Sequence, residues 1–199
     1  SNQTFGERYS NAVINLTQED PYAGLDPRFF MTVVKNGDIW PNYNPNPIET
    51  FIGGLNAAPI HNSTPTGYYL RKYCDPNVSL ATNNPTTSPH AWVAMRLGEF
   101  YLNYAEALFK YLGTAYATNN EFPIPANEMV SKTRWRTKVN MPKFPAGLDN
   151  KLWWEKYQNE RMVELAFEGH RFWDVRRWKE GDKHFSSIDE MKIYKSGDS

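Results

Sequence analysis

Residues 160–178, "ERMVELAFEGHRFWDVRRW", carry a carboxylate at every fourth position. Glu160, Glu164 and Glu168 therefore share one face of a helix, with Arg161 beside the row. Arg171 and Asp174 continue it beyond Gly169, a residue suited to ending a helix. Charges at this density among Leu165, Phe167 and Trp173 must either face water or meet one another between packed elements. Carboxylates and guanidiniums in the second arrangement form bidentate, charge-assisted bonds that set helix register.

Catalytic readings of this segment fail on spacing. A di-iron carboxylate bundle requires Glu-x-x-His, but Arg171 stands three residues after Glu168. The zincin pattern His-Glu-x-x-His is absent. A glycosidase pair at Glu164 and Glu168 needs one carboxyl of raised pKa, and interleaved arginines oppose that. The segment is expected to be a structural ion-pair network of Glu160, Arg161, Glu164, Glu168, Arg171 and Asp174, binding the last two helices together.

Other candidates are weaker. Four histidines are scattered without a pair at ligand spacing, and Cys74 is the single cysteine, so a Cys-based zinc site is excluded. Cys74 reads as a small buried apolar side chain. His61 with Ser63, and Ser131 with Lys132, lack the nucleophile-elbow pattern. Gly53-Gly54 has no other feature of a phosphate loop. Residues 134–138, "RWRTK", read as a solvated basic helix face. Lys and Arg balance Asp and Glu at 22 each, so no overall field draws in nucleic acid or an anionic membrane. No cofactor is expected; a bound calcium is left open.

The pattern along the chain changes near residue 90. Before it, Pro, Asn, Thr and Gly recur, and residues 28–34 and 67–73 read as short strands or buried turns. After it the period is helical, with helices expected over residues 89–112, 126–137, 150–168 and 170–179, packed as antiparallel hairpins. In the first, Leu97, Tyr101, Tyr104, Leu108 and Tyr111 form an apolar stripe. Arg96, Glu99, Asn103, Glu106 and Lys110 form a polar one, with Glu106 and Lys110 set for an i,i+4 pair. Asp149 suits an N-cap and Gly113 a helix stop. No repeat near the ~34-residue period of tetratricopeptide arrays is visible. Most tryptophans on these helices read as packing, and Trp153 and Trp154, pointing about 100° apart, are not expected to share a face.

Four segments in order are diagnostic: "GLDPRFFMTVVKNGDIW", "GYYLRKYCDP", "MRLGEFYLNYAEAL" and "ERMVELAFEGHRFWDVRRW". Together, across residues 26–178, they resemble the C-terminal region of SusD/RagB nutrient-binding outer-membrane lipoproteins. The resemblance implies a mainly α, SusD-like fold: helical hairpins remaining from a tetratricopeptide-like scaffold, with a loop-rich, partly irregular N-terminal half. Residues 1–90 would be the ligand-facing region and 91–199 the helical region of one partial domain. It implies a non-catalytic protein of the Gram-negative cell surface. Such a protein captures oligosaccharide, or in some members peptide, for a TonB-dependent transporter. The lipid anchor and most tetratricopeptide-like helices would then lie outside this sequence. The usual closing segment also has no counterpart at its usual place; "FPIP" (residues 122–125) stands before the charged helix.

A sugar surface offers weakly positive C–H bonds to aromatic faces and hydroxyls to polar side chains. The loop "NGDIWPNYNPN" (residues 36–46) has that make-up. Trp40 and Tyr43, with Asp38, Asn42 and Asn44, are the expected ligand-binding residues; Tyr68 and Arg71 come second. The structural alternative is that Trp40 anchors its loop.

Overall fold

The computed structural model describes residues 20–42, 46–79, 81–186 and 191–195. It is mainly helical, with helices α1 (Pro27–Thr32), α2 (Leu97–Leu112), α3 (Ala126–Arg134), α4 (Asn150–Glu164), α5 (His170–Trp178) and α6 (Gly181–His184), and short strands β1 (Val33–Val34) and β2 (Tyr69–Leu70). It divides into two compact units: a helical one made of residues 1–28 and 93–184, and a loop-rich one made of residues 29–92 and 185–199. Neither is continuous in sequence. The stretch before residue 29 is grouped with the helices, and the tail with the loops.

In the helical unit, α2 begins at Leu97 rather than near Pro89; Arg96 is still extended. Gly113 ends it in the left-handed conformation, its amide donating to the Phe109 carbonyl. The buried face is not the expected stripe. Leu97 and Tyr111 are 62% and 71% exposed, while Gly98, Leu102, Ala105, Glu106, Leu108 and Phe109 are buried. Counting large apolar side chains missed the small ones. Ala105 lies fully buried in the core with Trp153 and Tyr157 of α4, where a larger residue would have no room.

Helix α4 starts where Asp149 accepts a hydrogen bond from the Leu152 amide. It ends at Glu164, four residues short of the expected stop. The reason is a competing donor: Arg96 Nη2 lies 2.6 Å from the Glu164 carbonyl, which a continuing helix would give to the residue 168 amide. That amide turns back to Leu165 instead, and Phe167 and Gly169 are left-handed.

The core of this unit is aromatic. Trp153 and Tyr157 are fully buried. Trp153 stacks on Phe109 at 4.6 Å and on Tyr157 at 5.3 Å between ring centres, and its indole donates to Asn127. Trp154 stacks on the same two rings, at 5.7 and 5.3 Å. The adjacent tryptophans thus meet a common pair, against expectation, because rings this large span the angle between their positions. Trp178 meets Trp154 edge-on. Trp92 and Trp173, read as packing, are 77% and 66% exposed.

Residues 28–34 are not a strand throughout: α1 runs to Thr32, and in the loop-rich unit only Val33 and Val34 pair, antiparallel, with Leu70 and Tyr69. The tail returns along this unit, where the Ile193 carbonyl accepts from the Ile52 amide at 2.8 Å and Ile193 is buried. Val34, Ile48 and Ala57 are buried beside these strands and turns.

Candidate functional site

The loop-rich unit contains a cleft of about 790 Å³, within the size range of ligand sites. Trp40 forms part of its wall. The loop carrying Trp40 is closed at its base by two backbone bonds, Gly37 amide to Ile48 carbonyl and Ile48 amide to Asp38 carbonyl, each 2.8 Å. Asp38 braces the same base: its carboxylate accepts from the Lys35 amide at 3.1 Å and the Lys35 ammonium at 2.7 Å. The Arg71 guanidinium stands over the indole of Trp40, 5.7 Å from the ring centre. Trp40 and Arg71 are therefore neighbours, although 31 positions separate them.

The remaining expected ligand residues are dispersed. Asn42, left-handed and exposed, reaches the Pro76 carbonyl at 3.4 Å. Tyr43 and Asn44 lie outside the described residues. Tyr68 packs edge-on against Phe29 and does not line the cleft. Its neighbour Tyr69 does, with its hydroxyl donating to the Asn56 carbonyl at 2.8 Å and accepting from the Thr64 amide. Tyr68 precedes β2, whereas Tyr69 belongs to it and pairs with Val34, which also lines the cleft.

Asn56, Asn62, Asp75 and His90 add polar groups to the wall. The Ser88 hydroxyl and the Asn77 amide hold the Asp75 carboxyl below the usual range for aspartate. Cys74 lines the cleft and is exposed, contrary to the expectation of burial; its Sγ–H reaches the Leu70 carbonyl at 3.5 Å.

The carboxylate row of α4 is the second cluster that could carry chemistry, and each of its members meets arginine. Glu160 binds Arg28 at 2.6 Å and Arg134 at 2.5 Å, with the Thr133 hydroxyl at 3.1 Å. Glu164 binds Arg28, Arg96 and Arg136 at 2.8, 2.6 and 2.5 Å. Glu168 receives two bonds from Arg96. Arg161 joins Asp174 at 2.7 Å and Asn103 at 2.7 Å.

Burial alone would raise the Glu164 carboxyl, but Arg136, Arg96 and Arg28 outweigh it and hold it below the usual glutamate range. Glu106 behaves likewise: burial opposes, and Arg177, Trp178 and Tyr157 lower it. A carboxyl held ionised cannot serve as a general acid near neutral pH.

Three expectations change here. Among the described residues Arg171 pairs with no carboxylate: one amino group meets His184 Nδ1 at 2.9 Å and the other is buried with no partner there. Arg134 and Arg136 are not a solvated face, since both reach the α4 carboxylates. Glu106 binds Arg177 and Trp178 in place of Lys110, and the Lys110 ammonium sits 3.8 Å over Trp154. Among the described residues no group of three or more His, Cys, Asp or Glu could hold a metal ion, and no helix is long and apolar enough to cross a membrane.

Residues 6–197 match the SusD family. A solved structure, a SusD-like carbohydrate binding protein from Bacteroides fragilis, superimposes with a TM-score of 0.56 at 23% identity, covering 82% of this chain. The chain spans 31% of that protein's length. No curated protein matches it.

Proposed function

The chain belongs to the SusD family, and from that premise we propose that it is a non-catalytic, glycan-binding part of a nutrient-uptake lipoprotein. It captures oligosaccharide at the surface of the outer membrane and passes it to a TonB-dependent transporter.

The observation that carries this reading is Trp40 in the wall of the 790 Å³ cleft, with Arg71 against its indole. An indole offers a flat face to the C–H side of a sugar ring, while the Asn56, Asn62 and Asp75 side chains suit its hydroxyls. A non-catalytic role is supported by the arginines that surround Glu160 and Glu164. Affinity electrophoresis against a panel of polysaccharides tests the proposal. Retardation by at least one glycan is expected, without product release. Trp40→Ala should weaken it by about tenfold with unchanged unfolding. Unaltered migration of that variant on a retained glycan would remove the cleft from consideration.

The 31% coverage of the solved relative favours a second reading, in which this portion chiefly contacts the transporter and the ligand, glycan or peptide, is held elsewhere. Capture of the transporter without glycan retention would support it.

A further inference from the structure

The helical unit carries a pocket that the glycan reading does not use. It measures about 300 Å³ and is lined by Tyr104, Ala107, Leu108, Tyr111, Glu121 and Phe122. Tyr104 and Tyr111 are seven positions apart on α2, so they project from one face of that helix. Phe122 is set between them, its centre 6.2 Å from Tyr104 and 6.1 Å from Tyr111, with interplanar angles of 68° and 78°. Two rings at nearly right angles and this separation make a corner. A group seated in it lies against aromatic surface on more than one side.

The walls are fixed in advance. Asn119 Oδ1 accepts from the amides of Glu121 and Phe122 at 3.0 and 2.7 Å, and the Asn119 amide donates to the Phe122 carbonyl at 3.1 Å. This closed turn holds Phe122 against the tyrosines and Glu121 beside them. No basic side chain lines the pocket, and Glu121 makes no ion pair among the described residues. Glu121 is the one charged side chain in this lining, and the faces of the aromatic rings carry the same sign. Neutral apolar ligands gain nothing from Glu121, and anions are repelled by it. A cation with an apolar skin gains from both.

We propose that this pocket binds a small organic cation of the quaternary ammonium class through Tyr104, Tyr111 and Phe122, with Glu121 as counter-ion. The site lies within the helical unit and shares no residue with the cleft around Trp40.

The test uses the whole chain and two probes of nearly equal shape, choline and its neutral carbon analogue 3,3-dimethyl-1-butanol, titrated by calorimetry or ligand-observed NMR. Choline should bind roughly fivefold or more tightly than the alcohol, the factor that a cation–π contact contributes. Tyr111→Leu should reduce choline binding by a similar factor, Glu121→Gln should reduce it by about twofold to fivefold, and Tyr111→Phe, which keeps the ring, should retain most of it. Tyr111 is 71% exposed, so its replacement should leave the unfolding midpoint unchanged. Equal affinity for the two probes, no choline binding, or wild-type binding by both Tyr111→Leu and Glu121→Gln would overturn the proposal. Glycan retention should be the same in all these variants, so failure here leaves the Trp40 reading untouched.

Discussion

Arg28 and Glu164 are 136 positions apart in the chain and 2.8 Å apart in the fold, both almost wholly buried. The same guanidinium also binds Glu160 and Asp26. One side chain thus ties the beginning of the described chain to the C-terminal turns of α4. Loops of this length cost configurational entropy to close, and here the closure is held by charge-assisted bonds in a dry setting.

Removing one partner from this network leaves the others short, Arg28 with almost no water to replace it. Glu164→Ala leaves Arg28, Arg96 and Arg136 each short of an acceptor, and a loss of about 3–5 kcal/mol is expected. Urea unfolding followed by tryptophan fluorescence measures it. A loss below ~1 kcal/mol would mean that the pairs are solvated and weak, as surface pairs are.

The network also sets a pH dependence. Glu164 and Glu106 titrate below the usual value of 4.5 in the fold. Above that value both are ionised whether the chain is folded or not, and their contribution is fully present. As pH falls past 4.5 the unfolded chain takes up protons first, so stability declines and the contribution vanishes below the folded pKa values. Thermal melts from pH 7 to 3 should show a midpoint that falls steeply in the acid range only. Glu164→Gln should flatten that fall.

Gly98 lies under the same cluster. A Cβ there would stand 2.5 Å from Arg96 Nη1 and 2.9 Å from Glu164 Oε1. On helix propensity alone Gly98→Ala would gain about 1 kcal/mol. Arg96 cannot swing aside without breaking its bonds to Glu164 and Glu168, so a net loss of about 1–3 kcal/mol is expected. Chemical denaturation decides the sign.

Tyr157 joins the aromatic core to the second carboxylate hub. Its hydroxyl lies 2.9 Å from the Leu102 carbonyl and 3.0 Å from Glu106, and burial together with that carboxylate pushes its pKa up. Tyr157→Phe keeps the ring stack but leaves two acceptors short, with an expected loss of about 1–3 kcal/mol. Trp153 fluorescence should stay native-like in the folded variant.

The helices were legible wherever a local device ends them. Asp149 and Gly113 act on their own neighbours, through a capping side chain and a left-handed stop, so composition alone points to them. The early end of α4 was not legible, because the group that claims the Glu164 carbonyl comes from Arg96, 68 positions away. The same holds for the site: an aromatic, Asn-rich loop stands out in the sequence, but Trp40 meets Arg71, and Tyr69 rather than Tyr68 joins the cleft, only through contacts between distant segments.

The carboxylate row and the arginine count were thus written in the primary structure, since a helix places every fourth residue on one face whatever surrounds it. Which arginine answers which carboxylate was decided only by tertiary packing. Arg28, Arg96, Arg134 and Arg136 arrive from other segments, while Arg161, inside the row, pairs with Asp174, and Arg171, three residues beyond it, turns to His184. Electrostatic pairing depends on distance in space and on exclusion of water, and neither is a property of sequence separation.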